Sequence, residues 1–270
     1  MLELGRELGR EIRALAAFAA LGWRGAVAQS AGIVARGGLY ALVLAIFWQL
    51  WQATPLAELG RSDLTPARLL WYIAVTEWVV FASGLPYREI ESDVRDGTIA
   101  AALTRPIPYA AATLAHWLGE AAYRLVALGA IGFAVAWALT GTVAIASSSW
   151  PAIAVAGVLG TVLVLLCQLA IGLAAVWAGA AAPLFWIWQK LLFVLGGMLI
   201  PLTLYPEPVR LVARASPFAA MLFVPGSLAL DADAALLPLV AEQLLWLAAL
   251  ALMVVLVDRA ALARLLARGA

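Results

Sequence analysis

The chain has 270 residues, of which 65% are hydrophobic and 12% charged, with a mean hydropathy of +0.98 and a net charge of +1. A soluble domain is roughly 45–50% apolar, so a single water-soluble core is excluded, and the near-zero charge gives no footing for nucleic acid. The apolar runs are continuous and rich in Ala and Leu. They fit helices of about 20 residues crossing a hydrocarbon core, and not the alternating segments of a barrel.

In chain order, residues 1–24 come first. Leu4, Leu8, Ile12 and Leu15 share one helical face, with Glu3, Arg6, Glu7, Arg10 and Glu11 on the other. This predicts an amphipathic helix lying in the headgroup plane, or alternatively a helix that binds a partner. Clean apolar signal-peptide features are absent. Six spans are predicted near 32–52, 67–86, 109–139, 151–178, 184–201 and 236–257, followed by a tail over 258–270. The third and fourth exceed the minimum length and tilt or project from the bilayer. The fold class is an all-α polytopic membrane protein, with 1–270 forming one transmembrane domain.

With both termini on one side, that side receives Arg6, Arg10, Arg13, Arg24, Arg36, Arg88, Arg95, Arg105, Arg259, Arg264 and Arg268. The other receives Arg61, Arg68, Arg210 and Arg214. The positive-inside rule places both termini in the cytoplasm. Trp51, Trp71, Trp137 and Trp150 mark outer ends, and Trp117, Trp177, Trp186 and Trp188 inner ends, as amphipathic indoles favour the interface.

Two connections are long. The outer one, Pro201 to about Ala235, is proline-rich yet apolar. It predicts short helices that dip into the outer leaflet, which is tolerable only if they pack on protein or line a cavity. The cytoplasmic one runs from Tyr87 to Pro108. It mixes Glu89, Glu91, Asp93 and Asp96 with Arg88, Arg95 and Arg105, and Gly97 punctuates it. Thr98 is a candidate N-cap for a short helix Ile99–Leu103, which Pro106 ends. Such an element reads either as a rigid lever between two spans or as a solvated loop.

The means for catalysis are sparse. The only lysine, Lys190, is not in a glycine-rich phosphate loop. The only histidine, His116, and the only cysteine, Cys167, give too few parts for a metal site or a Cys/His dyad. His116 is expected to pack at the interface and Cys167 to be buried. Transport or a scaffold role is the default, and an enzyme the least expected class. A self-contained secondary transporter would show midplane ion ligands or repeated halves, and neither is seen.

Charges within the spans are costly, roughly 2.5–3.5 kcal/mol each. Glu77 and Arg124 are expected to pair across antiparallel neighbours, with Glu120, one turn from Arg124, as a competing partner. Glu242 is expected at the interface, and Lys190 is expected to snorkel. Gly196-Gly197 either permits a close helix approach or ends the fifth span.

The run IESDVRDGTIAAALTRPIPY resembles the cytoplasmic loop of ABC-2-type permeases, in the branch of compact six-helix exporter subunits that includes viologen and antibiotic exporters. The run FVLGGMLIPLTLYPEPVRLVARASPFAAMLFVPGSL resembles the same family after its fifth helix. The amphipathic start is similar to its elbow helix. The resemblance implies a transmembrane permease subunit in a bacterial inner membrane. A second permease, identical or related, and two ABC ATPase subunits would complete the complex. This chain would bind no cofactor, with ATP and Mg held by the ATPases. It also implies an ATPase-coupling loop containing Glu89, Glu91, Asp93, Arg95, Asp96, Gly97, Ile99, Leu103, Arg105 and Pro106. The pathway would be lined mainly by spans one, two and five, with Trp48, Phe81, Phe193 and Met198 available to a small amphiphilic, cationic or lipid-like cargo.

Overall fold

A computed structural model describes residues 2–56, 64–99, 107–231 and 234–267, with side chains from residue 9 onward. Among these residues the structure is helical and contains no strand. The helices are α1 (Leu2–Ala28), α2 (Ser30–Ala53), α3 (Pro66–Ser83), α4 (Pro86–Arg95), α5 (Tyr109–Thr140), α6 (Trp150–Leu173), α7 (Ala182–Leu195), α8 (Glu207–Arg214), α9 (Val224–Leu230) and α10 (Leu236–Ala267). Five runs (α2, α3 with α4, α5, α6 with its short helical extensions, and α10) are long and apolar enough to cross a membrane, or six if the bent pair of α8 and Ala219–Leu230 counts as one. The chain is an integral membrane protein.

Local chemistry sets the ends. Thr65 accepts the Arg68 N–H at 3.3 Å and Pro66 occupies the first turn, so α3 starts there. Gly141, at φ +69°, closes α5 as a left-handed cap whose N–H reaches Trp137 O at 2.8 Å. α1 and α2 are separated only by a break at Gln29.

The central helix is α3. Trp71, Tyr72, Ile73, Ala74 and Val75 are all essentially unexposed, and α2, α5, α6 and α9 pack around it. Tyr40 of α2 donates to Ala74 O and stacks on Phe81 with ring centroids 5.2 Å apart. By contrast, α2 and α10 leave most of their apolar surface outside the core, including Val34, Leu42, Ile46, Leu245 and Leu252. At the far end of the bundle Trp71, Phe133 and Trp150 interlock, and Trp71 Nε1 donates to Thr142 O at 3.0 Å. The two chain ends share the opposite end. There α1 packs on the first half of α5, and Asp258 of α10 lines one cavity with Tyr109 and Ala110 in the first turn of α5.

Three expectations change. The amphipathic helix finds its partner within the chain, because α1 crosses α5 backbone to backbone. A Cβ on Gly22 would strike the His116 carbonyl, and one on Gly119 would strike the Ala19 carbonyl. The fifth span, expected over 184–201, is a helix of 14 residues ending at Leu195. That is about 21 Å, short of a 30 Å hydrocarbon core. Gly196 and Gly197 do both things anticipated for them: Gly197 turns the chain at φ +67°, and Gly196 lies against Phe218 O and Leu222. Finally, the Tyr87–Pro108 connection is not a loop at its start. Pro86 restarts a helix, and α4 follows α3 after two residues.

The outer connection dips into the bundle, as its apolar sequence implies. α8 and Ala219–Leu230 meet at 86°, and the second arm is almost wholly buried. Its first turn, Ala219–Phe223, is a π-helix in which Val224 N–H bonds Ala219 O. The next bond of that pattern would need the N–H of residue 225, which is proline and has none. Gln243 of α10, fully buried, supplies the missing donor: its Nε2 donates to Ala220 O and to Ala156 O, each at 2.9 Å.

Candidate coupling site at the foot of α5

α4 is a ten-residue amphipathic helix, and its spacing explains how it is held. Ile90 is buried against Gly172 of α6, where a Cβ would not fit. Tyr87 stacks on Phe185 of α7 with ring centroids 4.0 Å apart and planes at 16°. Glu89 and Asp93, four residues apart, share the face toward α5. Glu89 Oε2 accepts from Trp117 Nε1 at 2.9 Å. Asp93 accepts from the Tyr109 hydroxyl at 2.7 Å and from Thr98 Oγ1 at 2.9 Å.

Of the residues expected on the coupling surface, Glu89 and Asp93 are therefore bonded to their own chain, Glu89 while remaining exposed and Asp93 half-buried. Glu91 is half-buried, while Arg95 and Asp96 are open, with side chains 69% and 55% exposed. Gly97 is exposed at φ +73° and allows the chain to turn away from α4. Ile99 is buried. Thr98 is helical rather than an extended cap, and its hydroxyl serves Asp93 instead. Leu103, Arg105 and Pro106, and most of the expected Ile99–Leu103 helix, lie outside the described residues.

The expected Glu77–Arg124 pair does not form. Arg124 pairs with Glu120 one turn below it, and the other Glu120 oxygen lies 3.4 Å from His116 Nε2. The reason is depth. Arg124 sits against Gly84, at the end of α3, seven residues beyond Glu77, which is about 10 Å along a helix. Glu77 is buried beside Tyr40 with no ion pair among the described residues. His116 thus has a polar partner in Glu120, and its backbone carbonyl packs against Gly22 of α1.

Arg124 also lies over the Trp117 ring at 5.2 Å. Trp117 thus touches both Glu89 of α4 and Arg124 of α5, so α4 and α5 are joined by one polar chain, Glu89, Trp117, Arg124, Glu120 and His116, and the backbone of His116 meets α1 at Gly22. Sequence reading missed Trp117, Tyr109 and Gln168 as members of this site. Tyr109 carried a usable signal, since its hydroxyl follows two prolines at a helix start beside an acidic segment. Gln168 carried a weaker one, as an amide inside an apolar span.

Elsewhere, Glu242 forms a 3.0 Å ion pair with Arg214 of α8. Lys190 lies over the rings of Trp186 and Phe193. Trp48, Phe81 and Phe193 are half-buried, and Met198 is buried at 5% exposure. Cys167 is buried as well.

The family model described as "ABC-2 family transporter protein" matches residues 70–269. The chain belongs to the ABC-2 transporter family. It is the permease component of an ABC transporter, a class that works with an ABC ATPase and is typically non-catalytic. No curated protein matches this permease. The matched region takes in most of α3 and all of α4 through α10, and so contains the whole polar chain.

Proposed function

We propose that this permease is an export subunit, driven by a separate ATPase that docks on α4 and the segment that follows it. The supporting observation is the two-sided character of α4. One face is held against α5, α6 and α7, while Arg95, Asp96 and Gly97 point away from the bundle. A helix held this way transmits displacement, because force on its exposed end reaches α5 through hydrogen bonds and α6 and α7 through close packing.

In this reading both termini and α4 lie in the cytoplasm of a bacterial inner membrane. Two copies of the permease, or this chain with a related one, would be served by two ATPases, each hydrolysing ATP with Mg in its own site. The exposed apolar faces of α2 and α7 suit contact with a second permease and with lipid. ATP-driven closure of the ATPases would bias a two-state equilibrium between inward- and outward-open bundles. Trp48, Phe81 and Phe193 remain the pathway candidates for a small amphiphilic, cationic or lipid-like cargo; Met198, being buried, would need the bundle to open. The permease itself would hold no cofactor and act as one domain over 1–270.

The test is purification from the native membrane in mild detergent, with mass spectrometry of what stays bound. A stoichiometric P-loop ATPase is expected. A clean homo-oligomer with no ATPase would count against the reading and favour a secondary transporter or a scaffold.

A further inference from the structure

α3 and α4 meet at Gly84, and three features converge there. Its backbone, at φ +68° and ψ −152°, lies in a region essentially reserved for glycine. The space a Cβ would take is filled by Arg124 Nη1 and by the Trp117 ring edge. Its carbonyl is held from the other side by Gln168 Nε2 of α6 at 3.1 Å. The joint between the central membrane helix and α4 is therefore clasped by α5 and α6 together.

The clasp is unfinished. Arg124 Nη1 is a buried donor and Gln168 Oε1 a buried acceptor, and neither has a hydrogen-bond partner among the described residues. Leaving such groups unpaired is unfavourable, and more so for a charged group. Arg36 of α2 bears on the same group, repelling Arg124 while attracting its partner Glu120. The two orphaned atoms are complementary and lie on either side of one residue. We propose that Gly84 is a pivot with two arrangements. In the one seen here Gly84 separates Arg124 from Gln168; in the other Gly84 withdraws, α4 swings relative to α3, and Arg124 Nη1 donates to Gln168 Oε1.

Arg124 and Gln168 are then positioning residues that set which arrangement α4 occupies. The energetic logic is exchange. The second arrangement gives up the Gln168–Gly84 bond and gains a charge-assisted one, so the two differ little and a modest force on α4 selects between them. This assignment of purpose rests on α4 being the driven element, but the pivot itself belongs to the permease alone.

The test measures the distance between spin labels at Arg95→Cys on α4 and Val126→Cys on α5, in the full chain in lipid nanodiscs. Both positions are exposed, and Cys167 is buried from the label. Gln168→Glu removes the donor to Gly84 and presents a carboxylate to Arg124. It is expected to raise the population of a second, displaced distance by about tenfold, equivalent to roughly 1.4 kcal/mol. Gln168→Leu loses the same bond without the attraction, so it controls for a merely structural effect and gives no new defined distance. Adding Arg124→Gln to Gln168→Glu should abolish the second population. The proposal is overturned if Gln168→Glu keeps the original single distance, matches Gln168→Leu, or keeps its second distance without Arg124. None of these outcomes depends on whether an ATPase co-purifies, so failure here and failure of the exporter reading are separable.

Discussion

The Tyr109 hydroxyl donates to the Asp93 carboxylate at 2.7 Å, tying the last turn of α4 to the first residue of α5. Thr98 donates to the other oxygen of the same carboxylate. One acidic side chain thereby fixes both where α4 ends and how the following segment leaves it.

Tyr109→Phe removes one of these bonds and Asp93→Ala removes both. Hydrogen bonds to a charged group contribute about 1.5–3 kcal/mol, less at a part-exposed site such as this. The expected outcome is about tenfold faster amide exchange over residues 90–98 for Tyr109→Phe, and a larger increase for Asp93→Ala. Hydrogen–deuterium exchange with mass spectrometry checks it. Equal effects of the two variants would show that Thr98 contributes nothing.

α1 and α5 touch through backbone at Gly22 and Gly119, so a single methyl has nowhere to go. Gly119→Ala should cost about 1–3 kcal/mol, the usual range for overpacking, and should loosen α1 without unfolding the bundle. A lowered thermal transition, with faster proteolysis of α1 than of α5, is the expected result. Unchanged proteolysis would mean that α1 does not depend on this crossing.

Gln243 completes a π-turn that Pro225 leaves short of one donor. Gln243→Leu strands the Ala220 carbonyl in an apolar interior, at about 1–3 kcal/mol, whereas Ala156 keeps its place in the α6 ladder. Gln243→Glu should be worse, because it loses the same donors and buries a charge beside Glu242, whose own cation, Arg214, is already engaged. Thermal unfolding in detergent should rank wild type above Leu and Leu above Glu. The reverse order of the two variants would point to a cation near this site.

Much of this architecture is legible in the residues. Continuous apolar runs give the spans, and the prolines after Pro201 mark a segment that must pack on protein. What pairs with what is less legible. Glu120 lies four residues from Arg124, so their pairing is visible in spacing alone. The alternative with Glu77 required knowing how far α5 extends beyond α3. The same limit hid the inward face of α4. Glu89 and Asp93 read as one half of a charged surface, because their partners, Trp117 and Tyr109, are 28 and 16 residues away.

That depth difference has a consequence for the buried charges. Glu77 has no cation to lose, so Glu77→Gln should leave stability within about 1 kcal/mol of wild type or raise it. Glu120→Gln withdraws the counter-ion of a buried guanidinium and should cost about 3–5 kcal/mol. Thermal transitions of the two variants decide the matter. A large loss for Glu77→Gln would indicate an ion pair formed in a different conformation.

If the exposed end of α4 meets the ATPase, a cross-link placed at that end captures it. Cys167 is buried, so Asp96→Cys provides a single accessible thiol at that end. Treating membranes with a short thiol-to-amine cross-linker should yield one dominant adduct, a permease joined to a P-loop ATPase, and a matched thiol at the far end, Trp137→Cys, should yield none. An intact complex in which Asp96→Cys gives no ATPase adduct would mean that the ATPase docks elsewhere than on α4.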